Sequence, residues 1–428
     1  MLQNLRLFFS WIPIKHFFLL VCIFYSSSAI TFYQSSLGYG VLLVFSVLMM
    51  VLYRIPIHAK LLIALFIWLV YCVILVLVYG ELELTLNHFV RYATLILASY
   101  TLIKLFSTNL FYKFEKAVSV LAIISLFFWL WHLISPGSLT TFSKIINFGS
   151  IANSSFRNSE FYYILFYVLE IFSYSSNTLQ RNYGFCIEPV VFACFLLSAL
   201  FFNVMRNNGF KWKNNKNLWI LILTLISTQS TTGVFAFMFF VIYYFISDKN
   251  LGLKRYILFT PILVILIILF IKIDFLFPKI SEMYQNTLEL DEMIYRSNPN
   301  ARFSAGRMGG LVIGWNDLIS HPILGIGPNS LRSYAYTSNA ALYNTNGFAG
   351  IMSIFGLFGL SIYFFLTIKT SIFISKFYNM RLKFGFFIVL TLLLNGVGVY
   401  RTAIFFSLII FSYFVTNNNL LKNTKEEK

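Results

Sequence analysis

The sequence predicts an all-α membrane protein with about twelve transmembrane helices and two long loops. Of the 428 residues, 59% are hydrophobic and only 11% are charged, whereas about a quarter of the residues of a soluble globular protein are charged. Apolar stretches recur along the whole chain, and most Lys and Arg residues fall between them. Because so few charged residues could not cover a soluble surface, a lipid bilayer is the expected environment.

The predicted spans follow from length. At about 1.5 Å per residue, about 20 helical residues cross the roughly 30 Å hydrocarbon core of a bilayer. The seventh and eighth spans are shorter than this, and form either a hairpin with a Ser/Thr-rich tip at 227–233 or a re-entrant element buried in protein. The spans are 17–34, 38–53, 61–79, 88–107, 117–135, 188–205, 218–229, 232–247, 256–273, 347–368, 384–400 and 402–416.

These spans divide the chain into six segments. The first loop contains an apolar aromatic patch, 161–172, that is too short to span and is expected in the membrane interface. Loops as long as these two are usually functional in a compact protein. The segments are helices one to five in 1–135, a first loop in 136–187, helices six to nine in 188–273, a second loop in 274–346, helices ten to twelve in 347–416 and a tail in 417–428.

Charge predicts the orientation. The side that holds both termini carries 21 of the 32 Lys and Arg and 4 of the 15 acidic residues, which leaves 11 of each kind on the opposite side. Because basic loops stay in the cytoplasm, the termini are predicted to be cytoplasmic and both long loops periplasmic. Membrane topology thus explains the net charge of +17, and nucleic acid is not an expected partner.

This orientation is testable with single cysteines and a membrane-impermeant thiol reagent. Cysteines near Ser150 and Gln285 should react in intact spheroplasts, whereas cysteines near Asn214 and Lys425 should react only after the membrane is opened. Reaction of position 285 solely from the cytoplasmic side would overturn the orientation, although the protein would still be a membrane protein.

The second loop carries the densest pattern of polar residues and glycines. Arg307, Leu311, Trp315 and Leu318 recur at spacings of four, four and three, which predicts one face of an amphipathic helix. The helix should end at His321, since the residue before a proline disfavours helix. Gly325–Ile326–Gly327 then predicts a tight turn. Arg307 would lie at a helix N-terminus, where anions are favoured.

Five arginines are predicted at the edge of the membrane on the side of the long loops. A guanidinium stays charged and binds phosphate through two parallel hydrogen bonds. Several that converge would suit a lipid pyrophosphate and would stabilise its developing charge without a metal. Singly, Arg91 and Arg401 are equally well explained by contact with lipid headgroups. The five are Arg91, Arg181, Arg302, Arg307 and Arg401.

Two residues are candidate general bases. Glu188 precedes a proline at the start of the sixth span, seven residues after Arg181, and either activates a hydroxyl or forms an ion pair that orients the helix. His321 has a side chain suited to proton transfer at neutral pH, or simply ends the loop helix. No nucleotide or metal motif occurs, and the acidic cluster 289–292 is interpreted as a solvated loop face. No metal or cofactor is therefore expected.

The order of residues in the second loop resembles the signature loop of the Wzy-type O-antigen polymerase and O-antigen ligase superfamily. A second element, Arg181-x-x-Gly184 followed by Glu188–Pro189, also resembles that family. The tip at 227–233 is similar to a family element but lacks its arginine. Where the ligase branch has a His–Asn pair before the tenth span, this chain has Thr345–Asn346, which favours the polymerase branch. The loop residues that carry the resemblance are Arg302, Gly306–Arg307, Trp315, His321–Pro322, Gly325, Gly327, Asn346, Gly356 and Gly359.

The resemblance implies a multi-pass glycosyltransferase of the bacterial inner membrane, with a helical fold similar to other transferases that use lipid-linked sugars. Its substrates would be undecaprenyl-pyrophosphate-linked donor and acceptor units, and a chain-length regulator would be a further partner. In this interpretation Arg181, Arg302 and Arg307 hold pyrophosphate, and Glu188 or His321 activates the attacking hydroxyl. The alternatives are an O-antigen ligase and, from another class, a lipid-linked-oligosaccharide flippase, which should show related halves and charges at mid-membrane.

Overall fold

The computed structural model describes residues 13–27, 29, 35–146, 159–164, 166–172, 180–211, 213, 215–247, 303–304, 306–337, 342–343 and 346–415. The predicted ninth span 256–273, the acidic cluster 289–292, Arg302, Thr345 and the tail 417–428 lie outside these residues. The described part of the chain is mostly helical, as the composition predicts.

The helices are α1 (Ile14–Tyr25), α2 (Ser36–Leu52), α3 (Ala59–Tyr79), α4 (Leu82–Phe106), α5 (Asn109–Ile134), α6 (Pro136–Ile145), α7 (Pro189–Arg206), α8 (Lys216–Ser227), α9 (Thr231–Ser247), α10 (Gly306–Ser320), α11 (Tyr334–Thr337), α12 (Gly347–Phe377), α13 (Gly385–Leu394), α14 (Ala403–Ile409) and α15 (Phe411–Phe414). Single 3₁₀ turns lie at Ser330–Arg332 and Val399–Arg401. The strands are β1 (Ser159–Ile164), β2 (Tyr167–Phe172), β3 (Phe303–Ser304) and β4 (Leu342–Tyr343).

Among the described residues, five helices are long and apolar enough to cross a membrane, namely α3, α4, α5, α7 and α12. Helices α1, α2, α8, α9 and α13 are also apolar but have only 10 to 17 residues. The protein is thus a membrane protein by the length and composition of its helices. The number of spans stays a prediction.

The aromatic patch of the first loop forms a β-hairpin. β1 and β2 pair antiparallel, with Tyr163 opposite Val168 and Ile164 opposite Tyr167. Tyr163 and Val168 pack in one apolar cluster, and Ile164 and Tyr167 pack in another together with Leu139 of α6. Because both faces are buried, the strands read as one continuous apolar run, which periodicity alone does not identify as a hairpin.

Helix α7 is the central element of the bundle. Every residue from Pro189 through Met205 is buried, and the helix packs against α5, α8, α9 and α13. At its C-terminal end Arg206 forms an ion pair with Glu115 of α5, with Nη2 and Oε1 2.7 Å apart. We call the end of the bundle at which α7 ends with Arg206 the basic end. A helix that is apolar on all sides is stable only when it is surrounded in this way.

Helix α12 is broken where the second loop packs into it. Gly356 has φ +59°, a conformation that disfavours other residues. The backbone groups freed at this break are bonded by the turn that follows α10: Ile326 N donates to Ser353 O at 2.8 Å, and Leu357 N donates to Pro322 O at 2.8 Å. Gly325 has φ +69°, and a Cβ there would lie 2.5 Å from Ile354 O. The predicted turn is confirmed, and it fills the break in α12.

Candidate functional site

The site is centred on the connection between α8 and α9, the hairpin tip, which we define as residues 227–233. Helix α8 begins beside the basic end, where Asn215 Nδ2 donates to Asn203 Oδ1 of α7 at 2.7 Å. Its 12 residues extend for about 18 Å, which is less than the roughly 30 Å core of a bilayer. The structure thus gives a helical hairpin whose first helix is apolar but too short to cross a membrane by itself.

Several polar groups of the hairpin tip are bonded to protein, whereas the Thr231 hydroxyl is buried without a hydrogen-bond partner among the described residues. Ser230 N donates to Thr228 Oγ1 at 3.2 Å, and Gly233 N donates to Ser230 Oγ at 3.2 Å, where α9 begins. Asn182 Nδ2 donates to Ser227 Oγ at 2.9 Å. These bonds explain how a Ser/Thr-rich segment can lie inside an apolar bundle, since buried polar groups must be paired.

Arg181 lies against the hairpin tip. Its Nε donates to Thr228 O at 3.3 Å and its Nη2 donates to Gln229 O at 3.2 Å. Thr228 is the C-cap of α8, so the guanidinium neutralises the carbonyl end of that helix. Arg181 therefore has a structural contact that the sequence did not reveal, and it brings a positive charge to the tip.

Arg307 reaches the same tip from the second loop. It is the second residue of α10, and its Nη1 donates to Thr232 Oγ1. Burial lowers the pKa of the Arg307 guanidinium, and the nearby charge of Glu188 acts in the opposite direction. An arginine remains charged under such conditions. Arg181, Glu188 and Arg307, which are far apart in sequence, are thus collected around one hairpin tip.

Several helices begin at this place. Glu188 precedes α7, Thr231 begins α9 and Gly306 begins α10. Asn346 caps α12, where its Oδ1 accepts from Ala349 N at 3.0 Å, while its Nδ2 donates to Arg307 O at 3.0 Å. Because each helix N-terminus carries a partial positive charge, the four starts favour an anion at the same position as the arginines.

Arg401 and Arg91 form a neighbouring pair. Arg401 Nε donates to Tyr400 Oη at 2.7 Å, and a Cβ on Gly350, one turn into α12 from Asn346, would lie 3.2 Å from Arg401 Nη2. The Arg91 guanidinium lies 5.1 Å from the centre of the Tyr39 ring. Both guanidinium groups act electrostatically on Tyr39. Four of the five predicted arginines therefore lie in two adjacent groups.

His321 does not belong to either group. It follows the last turn of α10, fourteen residues after Arg307, which corresponds to about 21 Å along a helix. Its Nδ1 is 3.0 Å from Ser320 Oγ, and its ring packs edge-on against Tyr79. Of the two predicted general bases, only Glu188 lies near the arginines that are predicted to bind pyrophosphate.

The structure adds Asp317, which is not among the site residues predicted from the sequence. This buried carboxylate accepts hydrogen bonds from Ser333 Oγ at 2.8 Å, from Tyr334 N at 2.6 Å and from Ser353 Oγ of α12. It therefore holds α10 against α12 and sets the position of Arg307. The sequence feature that could have identified this residue is an aspartate inside an amphipathic helix, three residues after Gly314.

The packed face of α10 differs from the predicted one. Trp315 is 57% exposed, whereas Ile313 and Asp317 are fully buried and Gly314 packs against Ala349. Of the predicted face, Leu318 is buried but Trp315 is not, so α10 packs through a face that is displaced from Trp315. Small residues decide this, because Gly314 lets the two helix backbones approach closely.

Metal ligands do not cluster in the described part of the chain, since no three His, Cys, Asp or Glu side chains there could hold one ion. Comparisons of the chain with protein-family models, with curated proteins and with solved structures found no match.

Proposed function

We propose that the protein is a metal-independent glycosyltransferase that joins lipid-pyrophosphate-linked sugar units at the periplasmic face of the bacterial inner membrane, in the manner of an O-antigen polymerase. One observation carries the proposal: Arg181 and Arg307 meet at a single hairpin tip beside Glu188. Cationic side chains gathered with several helix N-termini are suited to an anion of high charge, such as a pyrophosphate.

The proposed reaction is one displacement at an anomeric carbon. Glu188 takes the proton from a sugar hydroxyl of the acceptor unit, and the hydroxyl oxygen forms a bond to the anomeric carbon of the donor chain. The bond from that carbon to the pyrophosphate oxygen breaks, and its electron pair leaves with undecaprenyl pyrophosphate. Arg307 and Arg181 stabilise the charge that develops on the leaving group.

Depth in the membrane supports a lipid-linked substrate. The tip ends about 18 Å above the basic end, and α7, which borders the site, has 18 residues, or about 27 Å. If the basic end lies at one membrane surface, these lengths put the site in the farther half of a roughly 30 Å hydrocarbon core, a depth that a lipid-linked substrate reaches from within the membrane. A soluble nucleotide sugar would not be expected to bind at this depth in the membrane.

The polymerase is distinguished from its two rivals by the products that a deletion strain accumulates. We expect loss of this protein to leave cells that cap their lipid core with a single repeat unit, as seen by electrophoresis of their lipopolysaccharide. A bare lipid core with accumulated lipid-linked polymer would indicate a ligase and contradict the proposal. Lipid-linked units trapped at the cytoplasmic face would indicate a flippase.

A further inference from the structure

An apolar groove opens on the lipid-facing side of the bundle. It has a volume of about 320 Å³ and is lined mainly by residues of α3, α4, α12, α14 and α15. Ile67 of α3 is 46% exposed and Phe365 of α12 is 62% exposed, and both line the groove. Because α3 and α12 are long and apolar enough to span a membrane, exposed apolar side chains on them contact lipid chains. A hydrocarbon chain can therefore enter the groove from the side, without leaving the membrane.

The groove lies in the half of the bundle nearer the basic end. Helix α5 begins three residues after α4 ends, and its Glu115 pairs with Arg206 at the basic end, so α4 ends there. Only two residues connect α3 to α4, so α3 begins at the same end. The lining on α3 runs from Ala64 to Trp68, about 8 to 14 Å from the first residue of the helix. This depth matches the chains of one leaflet, which is roughly 15 Å thick.

Three of the lining helices carry a lysine one or two turns beyond the lining, on the side of the basic end. Lys60 lies four residues before the first lining residue of α3, and Lys104 lies eight residues after the last lining residue of α4. On α12, Lys369 follows Phe365 by four residues, and its Nζ lies 5.5 Å from the centre of that ring. Residues four apart lie on the same face of a helix. The lysines are therefore aligned with the groove.

Two of these lysines contact residues that line the groove. Lys104 Nζ donates to Phe414 O at 3.1 Å, and Lys60 Nζ lies 5.9 Å from the centre of the Tyr413 ring. Tyr413 and Phe414 both line the groove. Lys60 also acts electrostatically on Lys104, so the two ammonium groups lie near each other. They form a cationic mouth at one end of an otherwise apolar groove.

The charge of this mouth is not balanced within the described residues, where Lys60, Lys104 and Lys369 form no ion pair. Lysines beside a membrane attract lipids of net negative charge. An ammonium group is a point charge that can bind a phosphate without a fixed geometry. Phosphatidylcholine has the same phosphate but also a quaternary ammonium, so a group of lysines favours phosphatidylglycerol over it.

We propose that this groove binds one acyl chain of an anionic phospholipid, whose phosphate is held by Lys60 and Lys104 at the basic end. Lys369 adds positive charge at the same mouth. The charge distribution of the sequence predicts that the lipid comes from the cytoplasmic leaflet. A lipid bound there fills the space between α3, α12 and α15 and stabilises the bundle. This site lies outside the hairpin tip and does not depend on the proposed function.

The test uses the full-length protein in phosphatidylcholine nanodiscs that contain a small fraction of phosphatidylglycerol with a photoreactive group on one acyl chain. We expect the label on the segments 64–68 and 362–366, located by mass spectrometry. Phosphatidylcholine with the same photoreactive chain, at the same mole fraction, should label these segments less by at least about fivefold, the contribution of one lysine near a charged lipid. Equal labelling by the two lipids would show general contact with lipid chains and overturn the proposal.

A substitution of Lys60 tests the cationic mouth. Lys60→Gln should reduce labelling by phosphatidylglycerol about fivefold, and Lys60→Arg should retain it because the charge is kept. Since Lys60 is exposed, neither change should disturb folding. Lys116→Gln is the matched control, because Lys116 is an exposed lysine beside Glu115 on α5, which does not line the groove. Unchanged labelling of Lys60→Gln, or an equal fall in Lys116→Gln, would contradict a phosphate site at the mouth.

A second substitution tests the groove itself. Ile67→Trp should fill the groove and reduce labelling about tenfold, with the phosphatidylcholine background unchanged. Ile74→Trp is its control, because Ile74 lies on the same helix, is 39% exposed and does not line the groove. Equal labelling of the two tryptophan variants would place the acyl chain elsewhere and reject the inference.

Discussion

Arg307→Ala is expected to abolish long polysaccharide, with a loss of polymerisation of about 10²–10³-fold, the cost of removing one preorganised charge-stabilising donor. Arg307 donates to the hairpin tip, lies near Glu188 and is held by Asn346, so a methyl group replaces its charge and all of its side-chain hydrogen bonds. Arg307→Lys is also expected to be poor, since a point charge does not reproduce the planar fork of a guanidinium. The measurement is the chain-length distribution of the polysaccharide, normalised to protein in the membrane.

The matched control is Arg381→Ala, which removes an exposed arginine from the connection between α12 and α13 and should leave chain length unchanged. If Arg307→Ala and Arg307→Lys both made chains of normal length, recognition of pyrophosphate by this loop would be wrong. Loss of the Arg307→Ala protein from the membrane would instead indicate a folding defect. Arg307→Lys checks for this, because it retains the positive charge.

Glu188→Gln is expected to have the second largest effect, a fall in kcat of about 10²–10⁴-fold, the contribution of a general base. Glutamine keeps the size of the side chain but accepts no proton. KM for the lipid-linked donor should change little, because the pyrophosphate contacts remain. Purified protein with lipid-linked repeat units would provide both constants.

The alternative for Glu188 is an ion pair that orients α7, and the same variant distinguishes the two roles. An orienting role predicts reduced thermal stability with kcat retained in the protein that stays folded, and such a result would count against Glu188 as the base. Glu83→Gln is the matched control, because Glu83 is an exposed carboxylate at the start of α4. It should alter neither quantity.

The local features of the second loop were predictable from sequence because short-range rules determine them. The helix Gly306–Ser320 ends where Pro322 requires it to end, and the turn at Gly325 and Gly327 has the positive φ values that glycine permits. The face that α10 buries was not predictable in the same way. It depends on close contact between Gly314 and Ala349, and so on a helix that begins more than 30 residues later.

The candidate site was likewise predictable from the sequence only in part. The residue types Arg, Glu and His indicated phosphate binding and proton transfer, but sequence could not decide which of them meet. Arg307 meets the tip through Thr232, 75 residues away, whereas His321, much closer in sequence, lies at the other end of the same helix. The contact of Arg181 with the C-terminus of α8 was also not predictable from the sequence. Its partners are backbone carbonyls, which every residue has.

By itself the sequence determined that the chain is a helical membrane protein, since apolar content and the length of apolar runs act independently of partners. It also determined where the loop helix and its turn lie, since proline and glycine act on their own backbone. Only the tertiary structure decided that the break at Gly356 is filled by the loop turn, that Asp317 holds α10, and that Arg181 and Arg307 meet at the hairpin tip. Each of these depends on pairing buried polar groups across long sequence distances, a requirement that packing satisfies and a linear pattern does not record.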